Sequence, residues 1–169
     1  MVRKSSLREF QAHLASRLSG SGDQRAAGLL GFQSGADYWL TELPDSGEII
    51  PLPPLTDVPL TQPWFVGIVN IRGNLYAVTD FSAFRQKEAT LRNASSRLLL
   101  IGTRHGNNAA LLVTRILGLR NIDDLTPAAA NPEAPPWASD AYTDREGDRW
   151  RMLDVKRLFL DDTFMDIGI

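Results

Sequence analysis

The chain contains no cysteine and only two histidines. Without thiols there is no disulfide scaffold, no iron–sulfur cluster, no thiolate chemistry and no Cys-based zinc site. His13 and His105 stand outside any short metal-ligand pattern such as H-E-x-x-H, so both are expected as solvated side chains and not as ligands. No charge of one sign dominates either: 18 Lys+Arg face 20 Asp+Glu, a net charge of -2. That balance argues against a nucleic-acid binder, which needs a basic surface to neutralise phosphates. The apolar runs, such as Arg97 to Ile101 with its flanks, stop after four or five residues. A bilayer span needs roughly 20. The opening MVRKSSLREFQAHL lacks the apolar centre and cleavage site of a secretory leader. A cytoplasmic location without direct membrane insertion is the corresponding expectation. There is also no G-x-S-x-G elbow, phosphate loop or Gly-rich dinucleotide fingerprint. No catalysis, metal or cofactor is expected.

What is present is 169 residues, 43% of them apolar, enough for one compact unit with a core of its own, divided at most into two halves. Residues Ser6 to Leu18 carry Leu7, Phe10, Leu14 and Leu18 on one helical stripe, with Ser6 and Glu9 spaced as a capping box. From Leu29 onward short apolar runs alternate with turn residues, the signature of an antiparallel β protein. Leu29–Phe32 and Tyr38–Leu43 flank Ser34-Gly35-Ala36-Asp37. Glu48–Leu52 is closed by Pro51, Pro53, Pro54 and Pro59. Val66–Ile71 and Leu75–Thr79 flank Arg72-Gly73-Asn74, and Leu98–Thr103 and Ala109–Val113 flank a polar turn at 104–108. Thr126 to Trp137, with four prolines, reads as an ordered surface loop. Trp150–Leu153 is the last clear strand, followed by a short helix over Val155–Leu160.

One internal comparison bears on architecture. Gly73-Asn-Leu-Tyr-Ala-Val-Thr-Asp80-Phe aligns without a gap on Gly147-Asp-Arg-Trp-Arg-Met-Leu-Asp154-Val, 74 residues later. In each, a Gly turn precedes an aromatic at +3, an apolar residue at +5 and Asp at +7. Odd offsets put these three on one face of a strand. The Asp then stands where it can cap a helical turn by accepting backbone N–H bonds. Two similar strand-to-helix corners suggest two similar halves.

Among residues that bear chemistry, the pairs Asp123-Asp124 and Asp161-Asp162 read as solvated turn residues, because sequence neighbours point in different directions. A catalytic reading would have to gather Asp80, His105 and Asp154 from distant segments. Trp39, Trp64, Trp137 and Trp150 are many for this length. Trp150 reads as core, while Trp64 and Trp137, beside prolines, are open between a satellite core and an interface. Asn70 and Arg72, two apart at the end of an apolar strand, should project from one face at the turn. Either Asn70 holds the turn and Arg72 is solvated, or Arg72 contacts a partner.

The order Gly67, Asn70, Arg72, Gly73, then Asp80-Phe81 resembles the signature G-x-x-N-x-R-G of the CheW-like chemotaxis coupling proteins. The resemblance runs from about Leu29 to Leu160 and includes Glu48-Ile49, the loop ending Leu60-Thr-Gln-Pro-Trp64, and the pattern Trp150 to Asp154. The helical extension and the tail at Phe164-Met-Asp-Ile look most like members serving type IV pilus twitching motility. Ser46 and Thr114 depart from the usual pattern. The resemblance implies a mainly β fold: two SH3-like five-stranded β-barrels sharing strands, with a groove between them, short helices after the two Asp corners and a short N-terminal helix. The expected division is a helical extension over 1–25, the domain over 26–163 and a tail over 164–169. It also implies a non-catalytic adaptor that bridges the helical tip of a methyl-accepting chemoreceptor and the regulatory domain of a CheA-type histidine kinase, recruited to membrane-associated receptor arrays. A CheW-type protein of general chemotaxis is the first alternative, and a peptide-binding barrel module outside chemosensing is the second. Glu48, Asn70, Arg72 and Gly73 are the implied partner-binding residues. Gly67, Asp80, Gly147 and Asp154 are the structural turn and cap residues.

Overall fold

The computed structural model describes residues 28–169. The helix expected at Ser6–Leu18, the 1–25 extension and His13 lie outside the described residues. Eleven strands follow: β1 (Leu29–Ser34), β2 (Asp37–Glu42), β3 (Ser46–Pro51), β4 (Phe65–Ile71), β5 (Asn74–Asp80), β6 (Arg97–Ile101), β7 (Ala109–Val113), β8 (Arg115–Arg120), β9 (Thr126–Ala128), β10 (Ala141–Thr143) and β11 (Arg149–Leu153). Three one-turn α-helices, α1 (Phe81–Phe84), α2 (Val155–Leu158) and α3 (Asp162–Met165), and three 3-10 turns at Thr103–His105, Ile122–Asp124 and Pro136–Ala138 complete the described elements.

The strands form two sheets, ordered β8-β1-β2-β11-β10-β9 and β3-β6-β7-β5-β4. Setting β9 aside, the two orders are equivalent step by step. In each, an outer strand pairs antiparallel with a hairpin, β1-β2 or β6-β7. The hairpin's second strand then pairs in parallel with the corner strand, β11 or β5, and that strand pairs antiparallel with its own hairpin mate. The outer strands are exchanged. β3 follows the β1-β2 hairpin yet joins β6, and β8 follows β6-β7 yet joins β1. This is the predicted pair of five-stranded halves sharing strands.

Three apolar clusters explain the sequence patterns. In β6 and β7 both faces are covered: Leu98, Leu100, Ala110 and Leu112 turn into a core inside the β3–β7 sheet, while Leu99, Ile101, Ala109, Leu111 and Val113 face the other sheet. A strand buried on both faces reads as an unbroken apolar run. The central cluster joins Phe32, Trp39 and Leu153 of one sheet to Leu99 and Leu111 of the other, with Phe81, Phe84, Val155, Leu158 and Phe164 contributed by the helices. The space between the halves is therefore packed. Two clefts lie at its margins, one of about 220 Å³ lined by Phe65, Ala77, Phe159, Phe164, Met165 and Ile167, and one of about 520 Å³ that includes Glu42, Arg104, His105, Met152 and Asp154. The smaller third cluster gathers Leu29, Leu40 and Trp150.

Several expectations need correction. Thr126–Trp137 is more than a surface loop: Thr126–Ala128 is an edge strand on β10, and Trp137 is buried in the central cluster with its indole N–H donating to Asp161 Oδ2 at 2.8 Å. Proline on an edge strand removes no needed ladder bond, so the composition concealed the strand. Asp161 is accordingly no solvated turn residue, since its other oxygen caps α3. The strand expected over Leu98–Thr103 ends at Ile101, and the short helix expected over Val155–Leu160 stops at Leu158. β8 and β10 carried too little alternation to be read as strands, with three residues in β10. Phe164, placed in the tail, is buried, and Gln62 N–H donates to Ile167 O at 2.7 Å. Trp64, half-buried, packs edge-on to Phe84 and stacks on Phe164, on the core side of its open reading.

Candidate functional site

The sequence Asn70-Ile71-Arg72-Gly73-Asn74 closes β4 onto β5 with a two-residue turn, and both central residues have positive φ, Arg72 at 53° and Gly73 at 86°. Such a turn matches the right-handed twist of the strands, and it favours Asn-Gly or Gly-Gly because other side chains are strained there. Glycine at position 73 meets that demand, with open space around it. Alanine there should cost only the conformational strain, about 1 kcal/mol by urea melt. Arg72 meets the demand badly, since a left-handed residue with a Cβ is held at a cost of about 1–2 kcal/mol. Asn70 offsets part of this: its Oδ1 accepts the Gly73 N–H at 2.9 Å. Because Arg72 sits in the turn itself, strand alternation fails at that residue, and the two side chains do different work.

Arg72 reaches across to Glu48, with Nη2 2.6 Å from Oε1. Glu48 lies on β3, at the opposite end of the sheet order from β4. The sheet has curled until its two ends approach each other. Thr56, just beyond β3, exchanges two 2.9 Å backbone hydrogen bonds with Ile68 of β4 at the same seam. The ion pair is exposed, Arg72 three-quarters so. A pair in that setting contributes under about 1 kcal/mol to folding. Two apolar side chains, Ile49 next to Glu48 and Leu75 opposite Asn70, are also left in water. Of the four expected partner residues, the fold thus brings Glu48 and Arg72 into contact and uses Asn70 and Gly73 to build the turn. Sequence reading missed Leu75, although alternation from the buried Tyr76 and Val78 places it on the outer face.

Of the residues assigned to turns and caps, Asp80 and Asp154 stand at helix starts and Gly147 in a turn, whereas Gly67 lies inside β4 at a break in its register with β5. Asp80 caps α1, its side chain accepting from the Ser82 and Ala83 N–H groups, and Asp154 caps α2 through the Arg157 N–H. Thr90 was not foreseen: its N–H and hydroxyl donate to Asp80 at 2.8 and 2.7 Å, closing a buried network. Gly67, at φ 130°, lies against the Thr56 carbonyl, and Gly147, at φ 90°, forms the second corner's turn. That turn is held by Asp144, which accepts from the Glu146 and Asp148 N–H groups and from the Trp150 indole. The Trp150 hydrogen bond is the main reason its carboxyl lies below the usual range. Thr114, one of the two departures, accepts the Gly35 N–H at 2.9 Å and ties the β7-β8 junction to the β1-β2 turn. Ser46 donates to Leu43 O.

The three residues of the catalytic alternative are not assembled. The Asp80 carboxyl is taken up by α1 and Thr90. His105 is not merely solvated: Nε2 lies 2.8 Å from Asp45 Oδ1, and it shares with Asp154 a cleft of about 520 Å³ that Asp80 does not line.

Residues 28–162 match the model of the CheW-like domain family. A stretch of 93 residues is 26% identical to Protein PilI of Pseudomonas aeruginosa, covering 54% of this chain and 51% of that protein, so the match spans about half of the relative's length. The fold resembles the crystal structure of the scaffolding protein TtCheW from Thermoanaerobacter tengcongensis, with a TM-score of 0.67 at 16% identity, over 82% of this chain and 95% of that one. With the matched domain covering all eleven strands and both Asp corners, the chain belongs to the CheW-like domain family.

Proposed function

We propose that this chain is a non-catalytic signalling adaptor that joins the helical tip of a methyl-accepting chemoreceptor to the regulatory domain of a CheA-type histidine kinase, within a type IV pilus twitching-motility system. The observation that carries this reading is the strained, exposed Arg72. A turn that would accept Asn or Gly more comfortably instead holds a guanidinium in the left-handed region, paired to Glu48 across a sheet seam. Strain kept at a surface position is a mark of function more than of stability. The guanidinium fork suits carboxylates or the carbonyls at a helical tip. Glu48 holds it in place, and Leu75, which follows the turn, adds exposed apolar area next to it. The similarity to PilI supports the pilus system. A coupling protein of general chemotaxis is the second reading, which the CheW-like family match leaves open.

The test is a pair of substitutions. Arg72→Asn creates the Asn-Gly turn, so the melting midpoint should hold or rise while recruitment of receptor and kinase in a pull-down falls at least tenfold, the loss expected of an interface anchor. Arg72→Ala should lose recruitment equally at a small cost in stability. Undiminished capture by Arg72→Asn would remove this residue from the contact surface. Which receptor and kinase are captured separates the pilus reading from the general one.

A further inference from the structure

A cleft of about 230 Å³ opens where the Pro135–Ser139 segment crosses the β2-β11 pair, far in sequence from the β4-β5 turn. Its floor is apolar: Pro135, Trp137 and Ala138 line it, and the fully buried Trp39 packs against Trp137, their rings 6.1 Å apart and 27° from parallel. Its sides are basic, with Arg85, Lys87, Arg149 and Arg151 against the single acid Glu133. The guanidinium carbons of Arg85 and Arg151 stand 5.0 and 5.7 Å from the Trp39 ring centre. Arg85 is paired to Asp37, but Lys87 and Arg151 make no ion pair among the described residues.

A second observation is independent of that charge excess. Trp39 Nε1 and Arg85 Nε, on two residues that line the cleft, are buried donors without an acceptor among the described residues. The Arg85 side chain is 6% exposed. Burial pulls its guanidinium below the ordinary range, the hydrogen bond to Asp37 opposes that shift, and the charge of Arg151 adds to it. Cations gathered beside an apolar floor, with Lys87 and Arg151 unpaired among the described residues, lack one component: an oxygen anion carried on an apolar body.

We propose that this cleft binds a small organic carboxylate whose apolar part, best a flat ring, rests on Pro135 and Trp137 while its oxygens meet Arg151. Flat rings stack on indole faces, and a carboxylate matches the guanidinium fork. Lys87 and Arg149 raise the local concentration of anions, so binding weakens with salt. The site is separate from the Glu48–Arg72 pair and does not depend on the adaptor reading.

The test uses the full chain labelled with 15N, following the indole N–H signals of the four tryptophans. Benzoate should shift the Trp137 signal to saturation and leave Trp150 unmoved. Acetate, the anion alone, and benzyl alcohol, the ring alone, should each bind at least tenfold more weakly. Arg151→Ala and Lys87→Ala, both at partly exposed positions where folding is expected to persist, should each weaken benzoate several-fold. No saturable shift, equal binding in both variants, or a shift spread over all four indoles would overturn the proposal. So would an acidic peptide that binds where benzoate does not, since the cleft would then be a peptide-docking surface.

Discussion

Asp80→Ala should lower stability by about 4 kcal/mol, the largest loss expected from any single polar group in the domain. Asp80 is 3% exposed, and its two oxygens accept four hydrogen bonds, from the backbone of Ser82, Ala83 and Thr90 and from the Thr90 hydroxyl. Losing a helix cap costs about 1–2 kcal/mol. Each buried donor left without an acceptor adds about 1–3 kcal/mol, reduced where water enters. For a chain of this size the midpoint should fall by roughly 8–16 °C. Asp80→Asn separates the contributions: its remaining oxygen can serve the cap, but its amide presents hydrogens to the Thr90 N–H. A loss of about half the alanine value is expected by thermal melt. A loss within 1 kcal/mol for the alanine variant would show that the network contributes little.

The second large effect concerns backbone. At Gly67 an added Cβ would stand 2.4 Å from the Thr56 carbonyl oxygen and 3.0 Å from its carbon, at φ 130°. Neither atom belongs to a flexible side chain, and that same oxygen accepts the Ile68 N–H. Gly67→Ala should therefore open the seam between β3 and β4 and cost about 3 kcal/mol or more, from strain and the broken bridge together. Gly73→Ala, with an equally unusual φ but open space around it, is the control, at about 1 kcal/mol. If urea titration gave equal midpoints for the two variants, the close approach at Gly67 would carry no energy.

These two positions also show what could be read in advance. The corners at Asp80 and Asp154 were legible because a cap, a strand period and a Gly turn are all local rules, written within eight residues. The doubly buried β6 and β7 were legible as apolar runs. Thr90 was not, because α1 and then five residues without regular structure separate it from Asp80, and no spacing rule spans such a loop. β9 and β10 were hidden because three-residue strands carry no period, and Trp137 because its prolines spoke for a loop while its indole spoke for a core. At the candidate site, Arg72 and Glu48 could each be named, but their contact depends on a sheet that curls until its ends meet. That is a property of all five strands at once. The strain on Arg72 was equally out of view: the segment Arg72-Gly73-Asn74 leaves open which two residues turn, and only the register Asn70↔Leu75 and Ile71↔Asn74 places Arg72 inside the turn.

The exchange of outer strands sets an order on biosynthesis. The sheet of β3 to β7 is made of consecutive segments, so it can close while the ribosome is still adding residues. Its neighbour cannot, because β2 waits for β11, paired as Trp39 with Arg151 across more than a hundred residues. During that interval the β1-β2 hairpin holds Phe32 and Trp39 without their final cover. The nascent chain stays open to chaperones, and to aggregation, until β11 has been made.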